Sequence, residues 1–239
     1  MKSIPALVRG QGRGLTSLSP RLVAAVDIGS VKTACLIAEW NPGKKSVELD
    51  IRNGLKIIGF GQTISRGVKN GAIADIAEAE RSIRIAVDSA ERMAGATIRS
   101  VHVNVSGGRP QTMVASAAVK IENGVVTQSD IDAAVSLAVS KSDIGKRHVL
   151  HLLPVSYAID GVETPQAPVG MHGEAVKADI AVVSMEQAAL SNLRLAVERS
   201  HLELSGLALA PYAAAKSVLA PDEMELGTIL FDMGGYTTH

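Results

Sequence analysis

Leu22-Val23-Ala24-Ala25-Val26-Asp27-Ile28-Gly29-Ser30-Val31-Lys32-Thr33 is a short apolar run that breaks at an aspartate, a glycine and hydroxyl residues. Such a run, bounded by turn residues, reads as a buried strand. Apolar residues resume through Trp40, so residues 22–26 and 32–40 read as a β-hairpin turning at Gly29 and Ser30. The pattern returns far along the chain, where residues 228–231 form an apolar run leading into Asp232-Met233-Gly234-Gly235-Tyr236-Thr237-Thr238. Each copy ends a strand with an aspartate and free backbone N–H groups, which is the geometry a nucleotide phosphate requires. Glycines let the backbone approach the phosphate oxygens, hydroxyls of Ser30 and Thr33 or of Thr237 and Thr238 add donors, and carboxylates hold the waters around Mg²⁺. One such turn is an ordinary strand end; the pair carries the assignment. The candidate nucleotide-binding residues are Asp27, Gly29, Ser30, Lys32 and Thr33, then Asp232, Gly234, Gly235 and Thr237. Asp27 is expected to hold Mg²⁺ through water, and Lys32 either neutralises phosphate charge or is a solvated head.

Between the two turns the chain alternates strands and helices. A strand is expected at 55–62, and a basic, glycine-broken loop at 65–71. The spacing of Ile76, Ala79, Ile83, Val87, Ala90 and Ala94 predicts an amphipathic helix over 75–94, stopping at Gly95. Its charged residues Glu78, Arg81, Arg84, Glu91 and Arg92 read as a solvated face. After a strand at 100–106, Gly107-Gly108-Arg109-Pro110 breaks the chain and its character changes. A small unit follows, with strands at 112–121, 148–159 and 176–183 and a helix at 129–140. Asp130 lies near that helix's start, where an acid favours the dipole. Helices at 185–201 and 213–219 flank a strand at 204–209.

The 239 residues carry 24 basic and 24 acidic side chains, which argues against an electrostatic nucleic-acid binder. With 46% hydrophobic residues at structural periods, a disordered chain is excluded and a sizeable core can form. The lone Cys35 makes no internal disulfide, fits a reducing compartment and reads as a small buried hydrophobe. No apolar run approaches the ~18 residues of a spanning helix, so membrane contact would be peripheral. Residues 1–26 hold Lys2, Arg9, Arg13 and Arg21 with no acid; they lack the apolar block of a secretory signal, and 1–20 read as a flexible basic tail.

The first turn, 27–33, resembles the first phosphate loop of actin-like ATPases, and the second, 232–238, resembles the second. Ser65 to Ile76, Ala90 to Gly95, Val103 to Gly108, Pro168 to Gly173 and Glu225 to Gly227 narrow the resemblance to the FtsA family of bacterial cell-division proteins, over residues 21–238. That resemblance implies an α/β, actin-like (ribonuclease H-like) domain with a small inserted α+β subdomain of the FtsA 1C type and a truncated second large domain. The expected boundaries are 21–105 and 184–224 for subdomain 1A, 106–183 for the inserted unit, and 225–239 for the start of subdomain 2A. It further implies ATP and Mg²⁺ as cofactors, at most a weak ATPase activity, and self-association into filaments. Its implied partners are FtsZ and later division proteins, the latter through the 1C-like unit, on the cytoplasmic face of the inner membrane at the division site. The family's main FtsZ surface and its C-terminal membrane helix fall in the part that is missing, so the chain reads as an N-terminal portion. Tyr236 stands where the family has a third glycine; a positive φ there would cost on the order of 1–2 kcal/mol. His239 replaces an acid or small polar residue.

Two other readings stay open on the sequence. One is a phosphotransferase of the same superfamily, a sugar or acid kinase, for which Glu163 and Glu174 are candidate bases. The other is an interaction module without nucleotide binding, with Ile131, Val135, Ala138 and Val139 of the helix at 129–140 as a partner groove rather than packing. His148 and His151, three apart on a strand, are expected on opposite faces, which disfavours a metal pair.

Overall fold

The computed structural model describes residues 21–40, 54–164 and 166–239. The basic stretch 1–20 and the Asn41-Pro42-Gly43 break lie outside them. In chain order come β1 (Arg21–Ile28), β2 (Lys32–Trp40), β3 (Leu55–Ile64), β4 (Val68–Lys69), β5 (Ala72–Ile73), α1 (Ile76–Ala94) and β6 (Ser100–Val105). Then follow β7 (Gln111–Lys120), α2 (Gln128–Lys141), β8 (Arg147–Ile159), β9 (Val162–Thr164), β10 (Ala175–Glu186) and α3 (Gln187–Arg199). The last are β11 (Glu203–Leu209), α4 (Ala210–Val218) and α5 (Pro221–Leu226). They fall into two compact units, one formed by Arg109–Gln187 and the other by the described residues up to Gly108 and from Ala188 onward.

In the second of these, a five-stranded sheet runs β11-β6-β1-β2-β3. β1, β2 and β3 are antiparallel neighbours, while β6 lies parallel to both β1 and β11. Register puts Val103, Val26, Cys35 and Gly61 in one row on one face. That face is the core: Ala24, Val26, Ile28, Cys35, Ile37, Val101, Val103 and Val105 are all buried. α1 covers it over β2 and β3, presenting Ala79, Ile83, Ala86, Val87 and Ala90. Asp75 caps the helix by accepting the Glu78 N–H at 3.1 Å, and Gly95 ends it in the left-handed region at φ 65. The charged face is not solvent alone, because Arg84 donates to the Arg199 carbonyl at 2.7 Å and Glu91 accepts the Ile98 N–H at 2.7 Å. The basic segment 65–71 likewise holds structure: β4 and β5 form a two-stranded ribbon turning at Asn70 and Gly71.

Residues 228–231 are not a strand. Among the described residues they join no ladder, Ile229 and Phe231 are 82% and 71% exposed, and only an isolated bridge, Met233 with Thr238, follows. An apolar run becomes a strand only where a neighbour takes its N–H and C=O groups. The helix expected from 185 begins at Gln187 instead, since β10 continues until Met185 pairs with His148 and Glu186 with Arg147.

The unit Arg109–Gln187 is an antiparallel sheet in the order β7-β10-β8-β9, with α2 on one face. α2 opens with a capping box: Thr127 accepts the Asp130 N–H while Asp130 accepts the Thr127 N–H at 2.8 Å. The Thr127 hydroxyl and N–H hold the Asp130 carboxyl below its usual range. Ile131, Val135 and Ala138 are buried against Ala115, Ala117, Val176, Ala178, Ile180 and Val182, with Val139 packed at the margin, so they form core and not a groove. His148 and His151 do not fall on opposite faces. A register shift at Val183/Ser184 sets His151 opposite Val183 and His148 opposite Met185, two residues that share a face, because the irregularity absorbs one residue of β8.

Candidate functional site

The first turn is closed by the Gly29 N–H donating to the Lys32 carbonyl at 3.1 Å. The second has the same bond at the same offset, from the Gly234 N–H to the Thr237 carbonyl at 2.8 Å, inside a pair of bonds that joins Asp232 to His239. A Cβ on Gly29 would meet the Lys32 oxygen at 3.0 Å, and one on Gly234 the Thr237 oxygen at 3.1 Å. The two motifs therefore fold into one backbone form. Among the described residues, the N–H groups of Ser30 and Val31 at one tip, and of Gly235 and Tyr236 at the other, make no backbone hydrogen bond. Successive unpaired N–H groups on a tight turn are anion donors. The tips also touch, since a Cβ on Gly235 would overlap the Val31 side chain. Tyr236 is not in the positive-φ region, so the strain expected of a tyrosine there is absent.

The remaining motif residues divide. Asp27 is half-buried at the carboxyl end of β1, on the sheet face opposite the core, and among the described residues its carboxylate has no hydrogen bond or ion pair. Lys32 is exposed and Ser30 half-buried. Ser30 Oγ accepts the Gly71 N–H at 2.7 Å, which leaves its own proton for another acceptor. Thr33 does not face a ligand: it is fully buried, and its hydroxyl shares a 2.7 Å hydrogen bond with Ser65. Alternation along β2 turns it into the core beside Cys35. Thr237 is half-buried and Thr238 exposed, both in the second turn.

The loop at 65–71, one of the segments that carry the family resemblance, holds the first turn in place. The Ser65 N–H donates to the Val31 carbonyl at 2.9 Å, and the Arg66 N–H to Ser82 Oγ at 3.0 Å. Gly71 lies against the Ser106–Gly107 backbone, where a Cβ would stand 2.7 Å from the Ser106 carbonyl carbon. Asn104 is also brought to the site by β6, where parallel pairing sets it beside Asp27. Ser65, Gly71 and Asn104 are 32 or more residues from the turn they adjoin, so their places beside it follow from the pairing of distant strands, although the segments that hold them carry the family resemblance. The two carboxylates considered as kinase bases, Glu163 and Glu174, belong to the other unit and are exposed.

The donor set fits a nucleotide phosphate with Mg²⁺: backbone N–H groups and a hydroxyl for the anion, and an unpaired carboxylate among oxygen ligands for a hard cation. Among the described residues, no three His, Cys, Asp or Glu side chains cluster to bind a metal directly.

Residues 107–184 match the family model of the SHS2 domain inserted in FtsA. The cell division protein FtsA of Agrobacterium fabrum is 41% identical over 94% of this chain and 51% of its own length. FtsA of Pseudomonas aeruginosa is 34% identical over 92% and 51%, and that of Escherichia coli 34% over 91% and 50%. The chain thus spans about half the length of the curated relatives it matches. Among solved structures, the PilM-PilN type IV pilus biogenesis complex superposes with a TM-score of 0.53 at 15% identity, over 85% of this chain and 51% of that one. The fold is α/β and actin-like, with an SHS2 unit set into it.

Proposed function

We propose, from a chain homologous to the FtsA cell-division proteins over nine-tenths of its own length, that it forms the phosphate-binding part of an ATP-responsive division scaffold. The observation that carries this is the meeting of two Asp-x-Gly turns in one backbone form, their tips touching and their N–H groups unpaired. In this reading the N–H groups of Ser30, Val31, Gly235 and Tyr236 hold phosphate oxygens, and the Ser30 proton adds a donor. Lys32 offsets their charge from solvent. Asp27 orients the water shell of Mg²⁺, which when bound supplies charge neutralisation to the phosphates. Ser65 and Gly71 fix the first turn, so little ordering cost remains when the anion arrives.

The scaffold reading extends to FtsZ, to self-association, to later division proteins through the SHS2 unit, and to the cytoplasmic face of the inner membrane. It is supported by homology to proteins named for cell division. Among the described residues no helix is long and apolar enough to cross a membrane. The nucleotide part is tested by calorimetric titration of Mg-ATP. Asp27→Ala should weaken binding about tenfold, the loss of one charge-assisted hydrogen-bond system. Unchanged affinity would remove the first turn from the site.

A further inference from the structure

Asn104 Oδ1 is buried and, among the described residues, has no hydrogen-bond partner. A buried polar oxygen left unpaired costs on the order of 1–3 kcal/mol, so a turn of the side chain that brings it to a ligand-bound donor is favourable. Its position says which. β6 runs parallel to β1, and the register sets Asn104 directly beside Asp27, with Ala208 of β11 on its other side. Residues paired this way across neighbouring strands point to the same face, here the face opposite the buried row of Val26 and Val103. Asp27 and Asn104 therefore stand side by side at the carboxyl ends of parallel strands, where open α/β sheets hold their ligands.

We infer that Asn104 is a positioning residue of the nucleotide site, its amide oxygen accepting a proton from a cation-bound water that the Asp27 carboxylate also holds. This rests on the reading of the two turns as a Mg²⁺-phosphate site. A water bound to a divalent cation is a strong donor with two protons to place, and a carboxylate and an amide oxygen on adjacent strands offer two acceptors. An amide beside a carboxylate adds that acceptor without a second negative charge. Ala34, on the other neighbour of Asp27, has no polar side chain to play the part.

The test is calorimetric titration of ATP into the 239-residue chain, with Mg²⁺ and again with the metal chelated, for the wild type, Asn104→Leu and Asn104→Asp. Asn104→Leu should bind Mg-ATP roughly tenfold more weakly, the size expected for one lost hydrogen bond to a charged group. It should match the wild type without metal. Asn104→Asp, which keeps an acceptor oxygen, should restore the metal-dependent affinity. Equal affinities of wild type and Asn104→Leu in Mg²⁺ would overturn the inference and leave the site standing. A loss of the same size with and without metal would also overturn it, since that is the mark of a misfolded chain or of an amide donating to phosphate. If the wild type binds no Mg-ATP, the site reading fails and the inference with it.

Discussion

Cys35 shows how far a single residue's environment follows from the alternation of its strand. It is fully buried on β2, in the row that joins Val26 to Gly61 beneath α1. Burial, and then the charge of Glu91, pushes its thiol from 9.0 up to about 11. The folded chain therefore holds the thiol proton more tightly than the unfolded one. That contribution to stability is complete below pH 9 and is lost as pH rises through about 11. At pH 8 an aromatic disulfide reagent should leave the native chain unlabelled and react fully after denaturation; prompt labelling of the native chain would contradict the burial. The same alternation explains why one candidate fell away. Thr33 has the residue type and the nearness to the turn of a phosphate donor, yet it lies one position inside β2, where its side chain points to the core. Ser30, at the tip, escapes that constraint. Asp27 was legible because its type and its strand-end position agree, whereas the pairing of Asn104 with it depends on a strand that arrives after α1.

The contact of α1 with β3 depends on two glycines that do no turning. Gly59 and Gly61 lie directly beneath the helix, and a Cβ on Gly61 would overlap the Ala86 carbonyl and come within 2.7 Å of the Ala90 nitrogen. Backbone cannot move aside as a side-chain tip can, so Gly61→Ala should lower stability by about 1–3 kcal/mol. A fall in the urea midpoint with unchanged slope would report it; an unaltered midpoint would mean that the helix is not so closely seated. Such close packing left no mark that the sequence reading used. α1 itself did, because its period, its Asp75 cap and its Gly95 stop are all local. α2 was legible for the same reason. Elements whose form depends on a distant partner were not: the apolar run at 228–231 joins no ladder among the described residues, β8 absorbs a residue that reverses the facing of one histidine, and β10 overruns the expected helix start because β8 pairs with its end.

At the scale of the whole molecule, the SHS2 unit has what a separable module needs. Its buried cluster, from Ala115 to Val182, draws on residues of the unit alone, in α2, its strands and the loop residues Ile121 and Val126. Its entry and exit are paired in the sheet: Gln111, at the start of β7, stands opposite Ser184, near the end of β10. Cutting the chain before Arg109 and after Gln187 severs no strand ladder within the unit. Inside the sheet, Asp179 accepts from the hydroxyls of Ser116 and Ser156 and from Lys177, and these hold its carboxyl below the usual 3.8, the Ser116 bond contributing most. A carboxyl lowered in the folded state contributes stability that is present above pH 3.8 and lost as pH falls through its folded value. Residues 109–187 expressed alone should therefore melt cooperatively at pH 7, as domains of roughly 60–80 residues can with a single core. Their melting temperature should fall below pH 4, and Asp179→Asn should lower it at pH 7 while reducing its dependence on acid. Circular dichroism melts across that range decide it. A non-cooperative melt at pH 7 would show that the unit borrows stability from the chain around it; a cooperative melt whose acid dependence ignores Asp179→Asn would place the titrating group elsewhere, with the Asp130 cap the next to replace.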